Sequence, residues 1–179
     1  MTMTPMQRFL TTLSHKEPDR VPLFLLLTMQ GAKELGMSIK QYFSQANYAV
    51  EGQLRLRDKY DNDCYYTFQY AAVDVEPWGG NAVFIEDGPP NAGQPIIKSP
   101  SQIMDMEAPD PCNSSSATRV LDVIRKLKEK SNGDVPIIGC VMSPFSLPVM
   151  QMGFDKYIEL IYEHPEQFER LMAINEEFC

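Results

Sequence analysis

Metal-ligating and nucleophilic side chains are scarce in this sequence. It has two histidines, His15 and His164, and four cysteines, Cys64, Cys112, Cys140 and Cys179. None of them falls at the spacing of a zinc knuckle or a C-x-x-C redox motif, so spacing alone supports no metal centre. The cysteines read as reduced thiols, since a long acidic chain is not a small secreted disulfide scaffold. Cys140 reads as a small core residue inside a strand, and His164, before Pro165, as an ordinary helix-start residue. Asp74 and Glu76 stand two apart in Val73-Asp74-Val75-Glu76-Pro77-Trp78-Gly79. General acid–base work needs two carboxylates converging on one substrate, whereas a pair two apart is ordinarily a solvated turn. Gly31, Gly36 and Gly79-Gly80 do not form a G-x-G-x-x-G nucleotide loop. The remaining candidates are Gln30, Gln69, Tyr70 and Ser143, with Thr28 and Phe145 ranked below them. All six lie at or just past the ends of expected strands, the rim where β/α folds collect binding groups, although most rim residues only support those that touch a ligand.

The elements that place these residues follow from periodicity. Met6, Phe9, Leu10 and Leu13 predict a leading helix over residues 4–15 with one buried stripe. Prolines 18 and 22 end it, and Leu23 to Leu27, apolar at every position, predict a strand covered on both faces, as in a parallel sheet. Ser38-Ile39-Lys40-Gln41 reads as a capping box opening a crossover helix to about Lys59. Cys64-Tyr65-Tyr66-Thr67-Phe68 is the second strand. Ala82 to Ile85 and Gln94 to Ile97, separated by Pro89-Pro90-Asn91-Ala92-Gly93, predict an inserted β-hairpin. Residues 100–116 read as a surface connection with one helical turn over 101–106. A serine among Ser114 to Ser116 caps a helix lined by Val120, Ile124 and Leu127 and ended by Asn132-Gly133. Asp134 to Val141 is a third strand, and three short helices follow. Phe154, Tyr157, Ile158 and Ile161 share a face of the second of these, and Phe168, Leu171, Met172 and Asn175 line the last. Met150, Met152 and Met172 read as core filling.

The 179 residues are 44% hydrophobic and carry a net charge of −8. That length suits one core, not two ordinary domains. The charge offers no broad basic surface for nucleic acid or anionic lipid. The longest apolar run, Val21 to Leu27, is far short of a membrane span, and the amino terminus shows neither a basic leader nor a signal core. The expected compartment is the cytoplasm. About three parallel strands, each followed by helix, cannot close an eight-stranded barrel, so the chain reads as part of something larger.

The stretch Met6-Gln7-Arg8-Phe9-Leu10-Thr11-Thr12-Leu13-Ser14-His15-Lys16-Glu17-Pro18-Asp19-Arg20-Val21-Pro22 resembles the opening of the uroporphyrinogen decarboxylase superfamily. Two more stretches agree: Leu56 to Asp61, and Ile137-Ile138-Gly139-Cys140-Val141-Met142-Ser143-Pro144-Phe145-Ser146-Leu147. The superfamily includes zinc-dependent methyltransferases that move methyl groups between a methylated corrinoid and a thiol such as coenzyme M. The resemblance implies an α/β fold: the amino-terminal half of a (β/α)8 TIM-type barrel, with a leading helix and an inserted hairpin, in one partial domain over 1–179.

It also implies a branch. The decarboxylase places arginines just after the first strand to meet the acidic arms of a porphyrinogen. Here that stretch is Thr28-Met29-Gln30-Gly31-Ala32-Lys33. Aligning Phe68 and Gly79 with the family puts Tyr70 where the decarboxylase has an aspartate, and a neutral phenol cannot supply that charge near neutral pH. The implied activity is therefore corrinoid-dependent methyl transfer to a thiol, absent from this part alone. The alternatives are a decarboxylase-like enzyme acting on a tetrapyrrole such as a porphyrin precursor, and a non-catalytic corrinoid-binding or assembly half. Implied partners are a corrinoid or corrinoid protein, a small thiol, and a second copy or a complementary carboxy-terminal half. The zinc ligands, a His-x-Cys pair and a later cysteine, belong to the family's second half and have no counterpart here.

Overall fold

In the computed structural model the described residues are 2–67 and 69–179. Phe68, used above to align the second strand, lies outside them. In chain order the elements begin with helices α1 (Pro5–Leu13), α2 (Gln30–Leu35), α3 (Ile39–Tyr42) and α4 (Ala46–Tyr60), then β1 (Tyr65–Tyr66). A 3-10 helix (Ala71–Trp78), β2 (Ala82–Val83) and β3 (Asn91–Ala92) follow, with two further 3-10 helices (Pro100–Asp105 and Pro111–Asn113). The chain continues through α5 (Ser115–Ser131), β4 (Ile137–Ile138), α6 (Leu147–Met152), α7 (Phe154–Glu163) and α8 (Pro165–Phe178). They fall into two compact units, residues 1–69 with 119–140, and residues 70–118 with 141–179.

The first unit holds the β/α repeat. β1 and β4 pair in parallel, Tyr65 opposite Ile137 and Tyr66 opposite Ile138. Parallel neighbours require a crossover. The expected first strand is not a regular strand. Its backbone meets the segment leading into β1, with Asp63 N donating to Leu23 O at 2.8 Å, but Leu23 N goes to the Asp63 carboxylate instead of a ladder partner. Nor is it covered on both faces, since Val21 is 83% and Leu26 63% exposed. The crossover helix is also broken. Ser38 Oγ caps α3 through Gln41 N, and Phe43 to Gln45 interrupt the helix before α4. α2, which periodicity did not reveal, packs along α4. Tyr42 is wedged where side chains on Gly31 of α2 and Gly52 of α4 would stand, its hydroxyl donating to Ala49 O at 3.3 Å. α5 ends as expected, with Asn132 and Gly133 both at positive φ. Cys140 is exposed, not core, because β4 stops at Ile138.

The leading helix is held by charge more than by its apolar stripe. Thr4 and Gln7 form its capping box. Leu10 and Leu13 are exposed, contrary to expectation, and Arg8 is the buried residue of α1. Its guanidinium donates to Asp19 at 2.6 and 2.9 Å and to Asp63 at 2.6 Å. Asp63, 1% exposed, also accepts from Arg20 at 2.5 and 2.9 Å and from Leu23 N at 2.7 Å. The Arg8 hydrogen bonds, with Met3 N–H, hold Asp19 well below the usual carboxylate range. Removing Arg8 or Asp63, the two buried members, strands the opposite charges left behind and destabilises the fold. The most family-like stretch of the sequence is thus a structural knot.

The second unit is helical around one apolar core. Ile97, Ile103, Met152, Tyr157, Leu160, Leu171 and Ile174 form it, with Trp78, Phe168 and Met172 packed against it. Of the face expected on α7, Tyr157 is buried but Phe154 and Ile158 are exposed; Leu160 takes their place. On α8 the expected line of Phe168, Leu171, Met172 and Asn175 is buried or packed on the core. The hairpin exists, but its second strand is Asn91–Ala92, not residues 94–97. Ile96 N and Ile97 N instead both donate to Gln151 O, at 2.9 and 3.0 Å, which draws that segment into the core. The expected helical turn over 101–106 is the 3-10 helix Pro100–Asp105, opened by a Ser99–Gln102 capping box.

Candidate functional site

Three of the six candidates belong to the first unit. Thr28 lies in the turn before α2, and Gln30 opens that helix with its carboxamide bonded to Glu34. Lys59 first, and Gln30 after it, hold the Glu34 carboxyl below its ordinary range. Gln69 follows β1 and is buried. Its Oε1 accepts from Arg119 Nε at 3.3 Å, while its buried Nε2 has no hydrogen-bond partner. Thr28 and Gln30 are neighbours; Gln69 is engaged with α5.

The other three belong to the second unit. Tyr70 is buried, packs edge-on to Phe84 and donates its hydroxyl to Glu76 Oε1 at 2.8 Å. Ser143 and Phe145 share the loop after β4. Ser143 Oγ donates to Ser146 Oγ at 2.9 Å and accepts from Ser146 N at 3.2 Å. Phe145 is 59% exposed.

The 3-10 helix Ala71–Trp78 separates the two carboxylates that the sequence paired. Asp74 is not a solvated turn residue. Its Oδ2 accepts Met142 N at 2.8 Å, and burial pushes its pKa up, opposed by that hydrogen bond. Glu76 lines a cavity of about 330 Å³ together with Gly79, Asp110, Asn113, Ser114 and Ser115. The Asp110 carboxylate is already used, accepting from Cys112 N and Asn113 Nδ2. Glu76 is thus a carboxylate oriented by a phenol on a polar cavity wall, suited to accepting a hydrogen bond from a ligand. Its link to Tyr70 is an i to i+6 contact that no helical or strand period would flag.

Residues that sequence reasoning passed over fix the loop of Ser143 and Phe145. Tyr157 Oη donates to Phe145 O at 2.8 Å, Asn175 Nδ2 to Pro144 O at 3.3 Å, and Cys179 Sγ to Met142 O at 3.0 Å. Asn175 is itself held by Gln151 through reciprocal hydrogen bonds of 3.0 and 3.1 Å, both side chains fully buried. Burial raises the Tyr157 pKa, which keeps the phenol a neutral donor.

Among the described residues one group of possible metal ligands clusters, Glu159, Glu163 and His164 at the end of α7. It contains no cysteine, so the thiolate-rich zinc set implied by the resemblance does not fit the residues present here. None of the four cysteines is in a disulfide. Among the described residues no helix is long and apolar enough to cross a membrane.

The chain belongs to the uroporphyrinogen decarboxylase (URO-D) family, whose model matches residues 4–179. It is 23% identical to the uroporphyrinogen decarboxylase of Alcanivorax borkumensis, over 93% of this chain and 50% of the relative. It is 22% identical to that of Pseudomonas putida, over 96% of this chain and 51% of the relative. Its fold matches a methyltransferase from Methanosarcina mazei with a TM-score of 0.85 at 18% identity, over 98% of this chain and 53% of that one. The chain therefore spans about half the length of its relatives and has the architecture of a partial TIM-type barrel, as its sequence implies.

Proposed function

We propose that this chain is the amino-terminal part of a methyltransferase of the family, one that moves a methyl group between a methylcorrinoid and a thiol. The observation that carries this reading is the exit of β1. Where the decarboxylase pattern asks for a carboxylate, Tyr70 presents a hydroxyl committed to Glu76, and the stretch over 28–33 offers Lys33 as its single cation in place of arginines. Neither stretch by itself offers a polyanionic porphyrinogen much countercharge, whereas a corrinoid with neutral amide arms needs none. A bound corrinoid supplies the transferable methyl group. This chain's residues bind and orient: Ser143 and Phe145 by contact, Glu76 by accepting a hydrogen bond. Thiol activation falls to residues outside this chain, and no step is assigned to zinc on the residues present here.

The names of the curated relatives favour the second reading, a decarboxylase acting on a tetrapyrrole. The third, a corrinoid-binding or assembly half, draws on the exposed apolar edge at Val21 and Leu26, which suits pairing with a second copy or a complementary half. The test uses the chain joined to a complementary second half, given methylcobalamin, zinc and 2-mercaptoethanesulfonate. Loss of the methyl–cobalt absorbance with formation of the methyl thioether is expected. Carbon dioxide release from uroporphyrinogen III with methylcobalamin left intact would replace this reading with the second, and binding without turnover of either would favour the third.

A further inference from the structure

Helix α7 divides its surface into three adjacent stripes. Tyr157, Leu160 and Ile161 face the core of the second unit. Phe154, Ile158 and Tyr162, each four residues from the next, make a second stripe that is exposed, Phe154 to 63% and Tyr162 to 81%. Asp155, Glu159 and Glu163 follow them one position on and make a third, exposed as well. Side chains at i, i+4 and i+8 stand one above another on a helix. An apolar ladder therefore runs beside an acidic one along the whole outer face.

Neither ladder serves the fold that carries it. A helix packed on one core needs one apolar stripe, and the first stripe already supplies it. Like charges at i, i+4 repel, and Glu159 and Glu163 stand towards the helix carboxy terminus, where the macrodipole also disfavours an anion. Their carboxylate oxygens and a His164 ring nitrogen lie within 4.8 Å of one another. Among the described residues no lysine or arginine pairs with any of the three acids. Lys156, on the same helix, donates to Lys98 O at 3.2 Å instead. One kind of occupant would relieve both costs, by covering the apolar ladder and bringing cations to the acidic one.

We propose that the outer face of α7 docks a basic amphipathic helix of another protein. Apolar side chains of that helix pack on Phe154, Ile158 and Tyr162, and its flanking lysines or arginines meet Asp155, Glu159 and Glu163. A second copy of this chain, with its net charge of −8, brings another acidic ladder in place of the cations. The ten residues of α7, at ~1.5 Å each, give a ladder ~15 Å long. That is short for the about 800 Å² per partner of a stable interface, so the complex is a transient one.

The test is fluorescence anisotropy of two labelled helical peptides titrated with the 179-residue chain at low and at moderate salt. Both peptides carry one leucine stripe, flanked by lysines in the first and by glutamates in the second. The lysine peptide is expected to bind about tenfold more tightly than the glutamate peptide, and less tightly as salt rises. Glu159→Gln with Glu163→Gln is expected to weaken it about tenfold, and Tyr162→Ser severalfold with unchanged far-ultraviolet circular dichroism. Glu176→Gln with Glu177→Gln removes as much charge from exposed positions of α8 and is expected to leave binding unchanged. The Glu159 and Glu163 substitutions are also expected to raise the urea midpoint, since they relieve a repulsion; a lowered midpoint would mean that these carboxylates serve the fold, and overturns the proposal. Equal losses in the two double variants would reduce the effect to net charge, and binding that Tyr162→Ser leaves intact would reduce it to ion pairing. Either overturns the docking face, as does binding of neither peptide. A concentration-dependent mass in light scattering that Ile158→Lys abolishes gives the face to a second copy. Zinc uptake in calorimetry that displaces the lysine peptide and is lost with Glu159 and Glu163 gives the acids to a metal. Loss of peptide binding once the chain is joined to a complementary second half gives the face to that half. Each of these three outcomes replaces the basic partner.

Discussion

At Asp74 the charge of one carboxylate and the hydrogen bond it makes pull in opposite directions. Burial raises its pKa, and the Met142 N–H lowers it by less. A carboxyl raised in the folded state contributes stability below its unfolded pKa of roughly 4, and that contribution is lost as pH rises through the folded value. Asp19 has the opposite sign. Its lowered pKa gives stability above roughly pH 4 that disappears in acid as pH falls through the folded value. Asp74→Asn retains a carbonyl acceptor for Met142 and abolishes the buried charge. The substituted protein is expected to have a higher urea midpoint than wild type at pH 7, the difference closing below about pH 4. Urea titrations at several pH values measure it, and a midpoint lowered at pH 7 would show that Met142 needs the ionised acceptor. The carboxylate pair was visible in the sequence, but its division of labour was not. Asp74 is fixed by a backbone amide 68 positions away and Glu76 by a phenol six positions back, and neither distance belongs to a regular element.

Among the elements, those fixed by local rules agree with expectation and those fixed by distant partners depart from it. The Ser38 cap of α3, the glycine end of α5 and the proline start of α8 depend on a few adjacent residues and were legible. The burial of Arg8 was not, because Asp63 lies 55 positions on. The split between α3 and α4 likewise has a tertiary cause: Tyr42 turns inward between Gly31 and Gly52, which a continuous helical face would not allow. Gly52→Ala sets a methyl group against that ring and is expected to cost about 1–3 kcal/mol in urea unfolding. In a Tyr42→Leu background the same change should cost much less, and an equal cost in both backgrounds would mean that helix α4, not the ring, objects to the methyl group.

Across the whole molecule, the sequence led to the family and the partial barrel, because the matching stretches are spread over its full length. It misjudged the exposure of the Val21–Leu27 segment, since apolar composition states what a residue tends to do and not whether a neighbour is present to cover it. An edge with Val21 and Leu26 this exposed invites association. Leu26→Lys is expected to raise the monomer fraction in size-exclusion chromatography with light scattering, and an unchanged mass distribution would exonerate this edge. The parallel register of Tyr65 with Ile137 bears on events during synthesis as well. A ribosome adding ~5–20 residues per second leaves β1 without its partner for several seconds while some seventy residues emerge. Until Ile138 appears, the β1 backbone groups that β4 later satisfies lack that partner, and those seconds are the interval in which the strand is open to pairing with another chain.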